Sequence, residues 1–245
     1  IAAATERGIT FTTHAAQSVM EFNIMVQRHG KTPIQWADEI GILKPNSIIG
    51  HAIFIDEHSW LHWATRKDLE ILVKSKASVA HCPTPFARYG HVLEDFGRYK
   101  RAGVNLGIGT DTTPHNMIEE MRWAAILGRV AAEDMFSVTT EDIFNAATVD
   151  GAAALLRNDI GRLTPGMKAD LILVDLTNPN MRPARDPLRS LIYAAADRAV
   201  RDVFVDGTQV VADGKVLTMD IEGACHRVET AQKRMMEKVP SIDYA

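Results

Sequence analysis

Four times in the first half of the chain a short apolar run gives way to one polar residue and then to a stretch of helical period. Residues 9–13 (ITFTT) lead into His14, and residues 47–55 (SIIGHAIFI) carry His51 near their end. Residues 77–80 (ASVA) stop at His81, and residues 104–108 (VNLGI) pass through the Gly107 and Gly109 punctuation to Asp111. Such runs predict strands, and the two glycines leave the end of the last one open to a ligand. Helical spacing follows each run, at 18–29, 34–41, 66–76 (Leu69, Leu72, Val73), 93–102 and 117–129, the last with an entry marked by Pro114 and Asn116. This βα rhythm belongs to a parallel sheet with right-handed crossovers. An open doubly wound sheet gathers ligand groups at one switch point, whereas a closed (β/α) barrel brings every strand exit to one axial site. Four exits carrying histidine or aspartate favour the barrel.

The texture changes after a helix predicted over 140–156. Residues 161–175 read GRLTPGMKADLILVD, with a Pro165-Gly166 turn and an apolar strand at 171–174. Another strand at 200–205 and the Asp206-Gly207 and Asp213-Gly214 turns around Val210 and Val211 complete a β-meander. Residues 221–238 form a charged helix, expected to pack on or cover a sheet edge. At the other end, residues 2–7 look like the tail of a helix capped by Gly8, as though more chain came before.

A net charge of −4 and scattered Lys and Arg provide no basic field, so no nucleic-acid polymer is expected as a partner. No apolar stretch approaches the roughly 20 residues that span a bilayer, and a cytoplasmic protein is expected. Cys82 and Cys225 are far apart and lack a C-x-x-C partner, which argues against a disulfide framework or a structural zinc knuckle; Cys225 reads as a small apolar filler.

Imidazole nitrogen and carboxylate oxygen are the donors that a divalent zinc or iron site takes, and His14 and Asp111 supply one of each. Asp111 would be both ligand and proton acceptor, the alternative being a helix-capping role. His51 would hold the attacking water or developing negative charge. His81 stands open between a structural role in its own turn and a functional one, and His115 between reaching substrate and capping a helix. His29, His58, His62, His91 and His226 fall in helix or loop contexts and are expected to be solvated. The chain contains no G-x-S-x-G elbow, no phosphate-binding G-x-x-x-x-G-K-[ST] and no H-E-x-x-H, and Gly107-Ile108-Gly109 lacks the third glycine of a dinucleotide fingerprint.

Together, THAAQS at 13–18, IGHAIFID at 49–56, SVAHCP at 78–83, GTDTTPHNMIEEMR at 109–122 and the 161–175 segment resemble the amidohydrolase superfamily, in its deaminase and chlorohydrolase branch. The resemblance implies an α/β fold: the C-terminal half of a (β/α)₈ barrel, strands 5–8, with a small β-sandwich. The organisation expected is a barrel portion at 1–157, a β-sandwich portion at 158–219, and a terminal helix and tail at 220–245. His14 matches the family's strand-5 metal ligand, His51 the strand-6 histidine, and Asp111 the strand-8 ligand and proton shuttle. The cofactor implied is one divalent metal, zinc ahead of iron. Gln17, His51, His81 and His115 are the expected substrate-binding residues.

Two departures qualify the resemblance. The strand-1 H-x-H pair is absent, since only His14 and His29 precede His51, so the remaining ligands are expected from another chain or segment, in what is expected to be a homo-oligomer. Gln17 stands where many deaminases of the branch carry a glutamate that protonates the substrate ring; glutamine is no general acid, and Glu21, one turn on, is the candidate replacement. The expected activity is metal-dependent hydrolytic deamination or dechlorination of an N-heterocycle, such as an aminopurine, pyrimidine or triazine. The alternatives are a cyclic-amide hydrolase of the same superfamily and a non-catalytic fragment or binding module.

Overall fold

The structure, a computed structural model, describes residues 1–238. Strands β1 (Phe11–Ala15), β2 (Ser47–His51), β3 (Ser78–His81) and β4 (Leu106–Ile108) form one parallel sheet in sequential order. Its register pairs His14 with Gly50, Gly50 with Ala80 and His81 with Ile108. Helices α1 (Ala2–Glu6), α2 (Val19–His29), α3 (Pro33–Glu39), α4 (Asp68–Ser75), α5 (Pro83–Arg88), α6 (Phe96–Ala102) and α7 (Met117–Ala132) alternate with these strands. The centre of the sheet is fully buried at Ile49, Val79 and Leu106, and Phe22, Ile34, Leu72, Phe96 and Tyr99 from the helices bury their side chains as well. Together these form the core that hydrophobic burial stabilises.

Local chemistry sets where these helices start. Ser18, Thr32, Asp95 and Asn116 each accept a backbone N–H of the first turn they precede, with Pro33 at the first position of α3. The helix expected over 140–156 is two: α8 (Thr140–Ala147), opened by a Thr139–Asp142 capping box, and α9 (Val149–Ala154). Thr148 breaks them apart, with its hydroxyl bonded back to the Phe144 carbonyl at 2.7 Å. α5 falls between the helical runs predicted at 66–76 and 93–102. The Pro83-Thr84-Pro85 run places proline in its first turn, the one stretch of a helix that needs no backbone donor.

Residues 1–167 and 176–199 form one compact unit; residues 168–175 and 200–238 form a second. The contacts divide the chain after Met167. Residues 176–199 fold with the first unit as α10 (Pro187–Ser190) and short π and 3₁₀ turns through Ala199, which bury Met181, Leu191, Ile192 and Ala195. The second unit contains an antiparallel sheet of β5 (Leu171–Val174), β6 (Val200–Val205), β7 (Thr208–Ala212) and β8 (Lys215–Val216), the expected meander in order. It also contains α11 (Ile221–Lys238), none of whose residues is buried; Cys225, on this helix, is exposed rather than an apolar filler. Residues 239–245 of the expected tail lie outside the described residues.

Candidate active site at the strand exits

His14 lies within β1, one residue before its end, and leans across β2 because Gly50 faces it. A Cβ on Gly50 would come within 3.0 Å of His14 Cδ2. His51, the last residue of β2, packs its ring edge-on to His14, with ring centroids 4.8 Å apart. Phe86 of α5 covers the His51 ring, at 4.5 Å between centroids. His81 ends β3 and is buried, its carbonyl accepting the Gly109 N–H at 2.9 Å. Asp111 follows β4 and is exposed.

Electrostatics show that these groups share one environment. Burial lowers the His51 pKa first, the neighbouring His14 lowers it further, and Asp111 opposes both. Burial and then His51 push His81 down to about 3, so its imidazole is neutral. Neither His51 Nδ1 nor His81 Nδ1 has a hydrogen-bond partner, although both are buried. Orphaned buried nitrogens cost free energy, and they favour the functional reading of His81 over the structural one.

The backbone carries strain at the same places. Ala16, His51, Ala52, Asp111 and His115 all adopt positive φ without being glycine. Such conformations cost about 1–3 kcal/mol each and persist only where surrounding contacts over-determine them. The β2 exit is held by Ala52 N–H to the Ala15 carbonyl at 3.1 Å and by Ile53 and Phe54 N–H to the Ala16 carbonyl at 2.9 and 2.8 Å. On the other side, Thr110 Oγ1 and His115 Nδ1 are 3.0 Å apart, and Asn116 caps α7 beyond them.

Several expectations change. Glu21 is occupied: its two carboxylate oxygens accept the N–H groups of Ala16 and Gln17 at 2.9 and 2.8 Å, while its own N–H binds Ser18. Both of its oxygens are therefore engaged with backbone ahead of α2. Gln17 is half-buried beside it. His58 is buried rather than solvated, its Nδ1 accepting the Trp60 N–H at 3.2 Å. His29 stacks on Trp36 at 4.0 Å.

Phe86, Glu120 and Arg88 escaped sequence reasoning. Phe86 covers His51 from a helix that the Pro83–Pro85 spacing signals. Glu120 on α7 is buried and accepts the Thr84 N–H at 3.0 Å, joining α7 to the start of α5. Burial, followed by Asp111 and Glu120, pushes the Cys82 thiol up to about 12. Arg88 closes this side by donating to the Thr113 carbonyl at 2.9 Å. Among the described residues no group of three or more His, Cys, Asp or Glu is placed to hold a metal ion.

The model of the amidohydrolase family matches residues 1–210. The chain belongs to the amidohydrolase family. The family match spans the sheet, its strand exits and most of the meander. A 5-methylthioadenosine/S-adenosylhomocysteine deaminase of Natronomonas pharaonis is 34% identical over 89% of this chain and 49% of its own length. A 5'-deoxyadenosine deaminase of Methanopyrus kandleri is 31% identical over 89% of the chain and 49% of its own length. In structure, an adenosine deaminase of Xanthomonas campestris with bound zinc matches with a TM-score of 0.86 and 27% identity, covering 96% of this chain and 53% of that one. An atrazine chlorohydrolase of Arthrobacter aurescens complexed with zinc matches at 0.81 and 21%, over 94% and 50%, and shows likeness of fold alone. The chain spans about half the length of the curated relatives it matches. Its relatives are thus deaminases, and its structural neighbours include triazine hydrolases. Among the described residues, no helix is long and apolar enough to cross a membrane.

Proposed function

We propose that this amidohydrolase chain contributes strands 5–8 and half of the active site of a metal-dependent hydrolase that deaminates, or dechlorinates, a small N-heterocycle. The observation that carries this reading is the convergence of His14, His51, His81 and Asp111 at the exits of four consecutive parallel strands. The zinc in the Xanthomonas neighbour and the adenosine-type substrates in the names of the relatives support it.

His14 and Asp111 match the imidazole and carboxylate donors of a zinc site, but they supply two protein ligands where a catalytic zinc takes three or more. The remaining donors belong to strands 1–4 of the barrel, which residues 1–238 do not contain. When bound, the metal would lower the pKa of a water to about 7 and provide the nucleophile. The chain's own residues do the rest. Asp111 takes the proton of the attacking water on its carboxylate, and His51, neutral and buried, presents a nitrogen to the water or to the charge that develops at the attacked carbon. His81, also neutral, offers the ring of the substrate a hydrogen bond beside it. His115 and Gln17 flank the entry, and Gln17 orients the heterocycle without protonating it. Phe86 shields His51 from solvent, which strengthens each polar contact within.

The test is Asp111→Asn in the assembled enzyme, with metal content and turnover measured together. Loss of ammonia or halide release supports the reading, and full turnover with full metal overturns it. A non-catalytic chain would show no turnover in the parent either.

A further inference from the structure

The residue after His51 is tied to a helix far from it in sequence. Tyr99, fully buried on α6, donates its hydroxyl to the Ala52 carbonyl at 2.7 Å across 47 residues. Ala52 follows His51, and both have positive φ, at 44° and 78°. Two consecutive non-glycine residues in the left-handed region return to ordinary backbone unless something outside the loop holds them. The other bonds on this turn go to the carbonyls of Ala15 and Ala16 at the exit of β1 and of Gly50 within β2. Tyr99 provides the tie from the opposite side.

The helix that presents Tyr99 is itself immobilised. Gly97 lies so close to the Ser137 carbonyl that an added Cβ would meet its oxygen at 1.8 Å. Arg101 donates to that same carbonyl at 3.0 Å, and Asp95 caps the helix start by accepting the Arg98 N–H at 2.9 Å. Arg98, next to Tyr99, donates to Glu57 at 2.8 Å. Neighbouring residues of α6 thus grip the β2 exit at two points, the Ala52 carbonyl just past His51 and Glu57 further along the same segment.

We infer that Tyr99 is a positioning residue: through its hydroxyl bond to the Ala52 carbonyl it holds the strained His51–Ala52 turn and so aims the His51 imidazole into the site. The inference rests on the proposed hydrolase reading for its consequence in catalysis, but its physical content does not. The ring fills its space with or without the oxygen; the hydroxyl matters because it meets the carbonyl of the strained turn. Substitution by phenylalanine removes that oxygen and little else.

The deciding experiment is Tyr99→Phe in the whole chain, followed by the histidine-ring signals in a ¹H–¹³C spectrum at one fixed pH. The His51 signal is assigned by its disappearance in His51→Asn, and His29, stacked on Trp36, serves as the control. The expected result is a displaced or broadened His51 signal with His29 unmoved. Ala52→Gly, which removes the Cβ penalty at φ 44°, should reduce the effect of Tyr99→Phe when the two are combined, a coupling that simple packing loss does not produce. A folded Tyr99→Phe chain whose His51 signal overlays the parent's overturns the inference. If that variant does not fold, Glu57→Gln loosens the second grip. The same displacement, smaller, is then expected, and an unmoved His51 signal overturns the inference equally. In the active assembled enzyme, Tyr99→Phe should lower kcat about tenfold with KM within about twofold. Absence of any parent activity would count against the hydrolase reading while leaving the spectroscopic result intact.

Discussion

Asp56 and Asp68 exchange backbone bonds inside the protein: the Asp56 N–H donates to Asp68 Oδ2 at 2.9 Å, and the Asp68 N–H donates to Asp56 Oδ1 at 3.2 Å. Both residues are fully buried, so two carboxyl groups share one interior site. Thr32 and Gln35 donate to Asp68 at 2.7 and 3.0 Å, and the Thr65 hydroxyl and Lys67 N–H donate to Asp56 at 2.6 and 2.8 Å. The pair joins α3 and the start of α4 to the segment that leaves His51, anchoring its far end as Tyr99 anchors its beginning.

The pair makes stability depend on pH. Burial raises Asp68 from 3.8 to about 6, with Asp56 adding to the rise and the Thr32 bond opposing it. The folded chain therefore holds the proton more tightly than the unfolded one. The stabilisation is complete below about pH 3.8 and is lost as pH rises through about 6. A shift of about two units corresponds to on the order of 3 kcal/mol. Urea unfolding across pH 4 to 6.5 should show this loss, and Asp68→Asn should flatten it. An unchanged slope in the variant would rule the assignment out.

Gly97→Ala should be among the most damaging single changes in the first unit. The added methyl would lie 1.8 Å from the Ser137 oxygen and 2.9 Å from its carbon, and backbone on both sides cannot yield cheaply. A loss on the order of 3 kcal/mol is expected in denaturant titration, with a lower midpoint and an unchanged slope.

Asn116→Ala removes an acceptor that serves two N–H groups, those of Ile118 and Glu119, at 3.2 Å each. The expected cost is about 1 kcal/mol. Asn116 lies between Asp111 and α7, so the same change should also weaken metal retention by the assembled enzyme. Metal retention equal to the parent's would separate the cap from the site.

His81 should remain neutral throughout the physiological range. Burial and the neighbouring His51 hold it near 3, so its ring signals should not titrate as pH is lowered from 8 to 5. A titration midpoint near that of an ordinary histidine would show that the ring is open to solvent and would remove it from the proposed hydrogen-bonding role.

The strand exits that make up the candidate site are legible in the sequence. The strand-to-helix rhythm placed His14, His51, His81 and Asp111 at successive exits, and the sheet brings those exits together in sequential order. Caps such as Ser18 and Asn116 are visible because a side chain and the N–H it binds are only two or three residues apart. Glu21 shows where that reading falls short. One turn past Gln17 it reads as an available acid, whereas in the fold both its oxygens are taken by backbone donors. The break at Thr148 was hidden for a different reason, since the apolar spacing of 140–156 continues across it.

The sequence by itself determined the four parallel strands, their order and the chemical type of each strand exit, because hydrophobic period, caps and turn residues act over a few neighbouring positions. Tertiary structure alone decided the rest. The Tyr99–Ala52 bond spans 47 residues and the Glu120–Thr84 bond 36, so neither leaves a local pattern. The left-handed backbone at His51, Ala52 and Asp111 runs against the intrinsic preference of those residues, and only contacts from distant elements can hold it. The chain's own pattern names the groups proposed for the chemistry, and packing between remote segments decides how they are aimed.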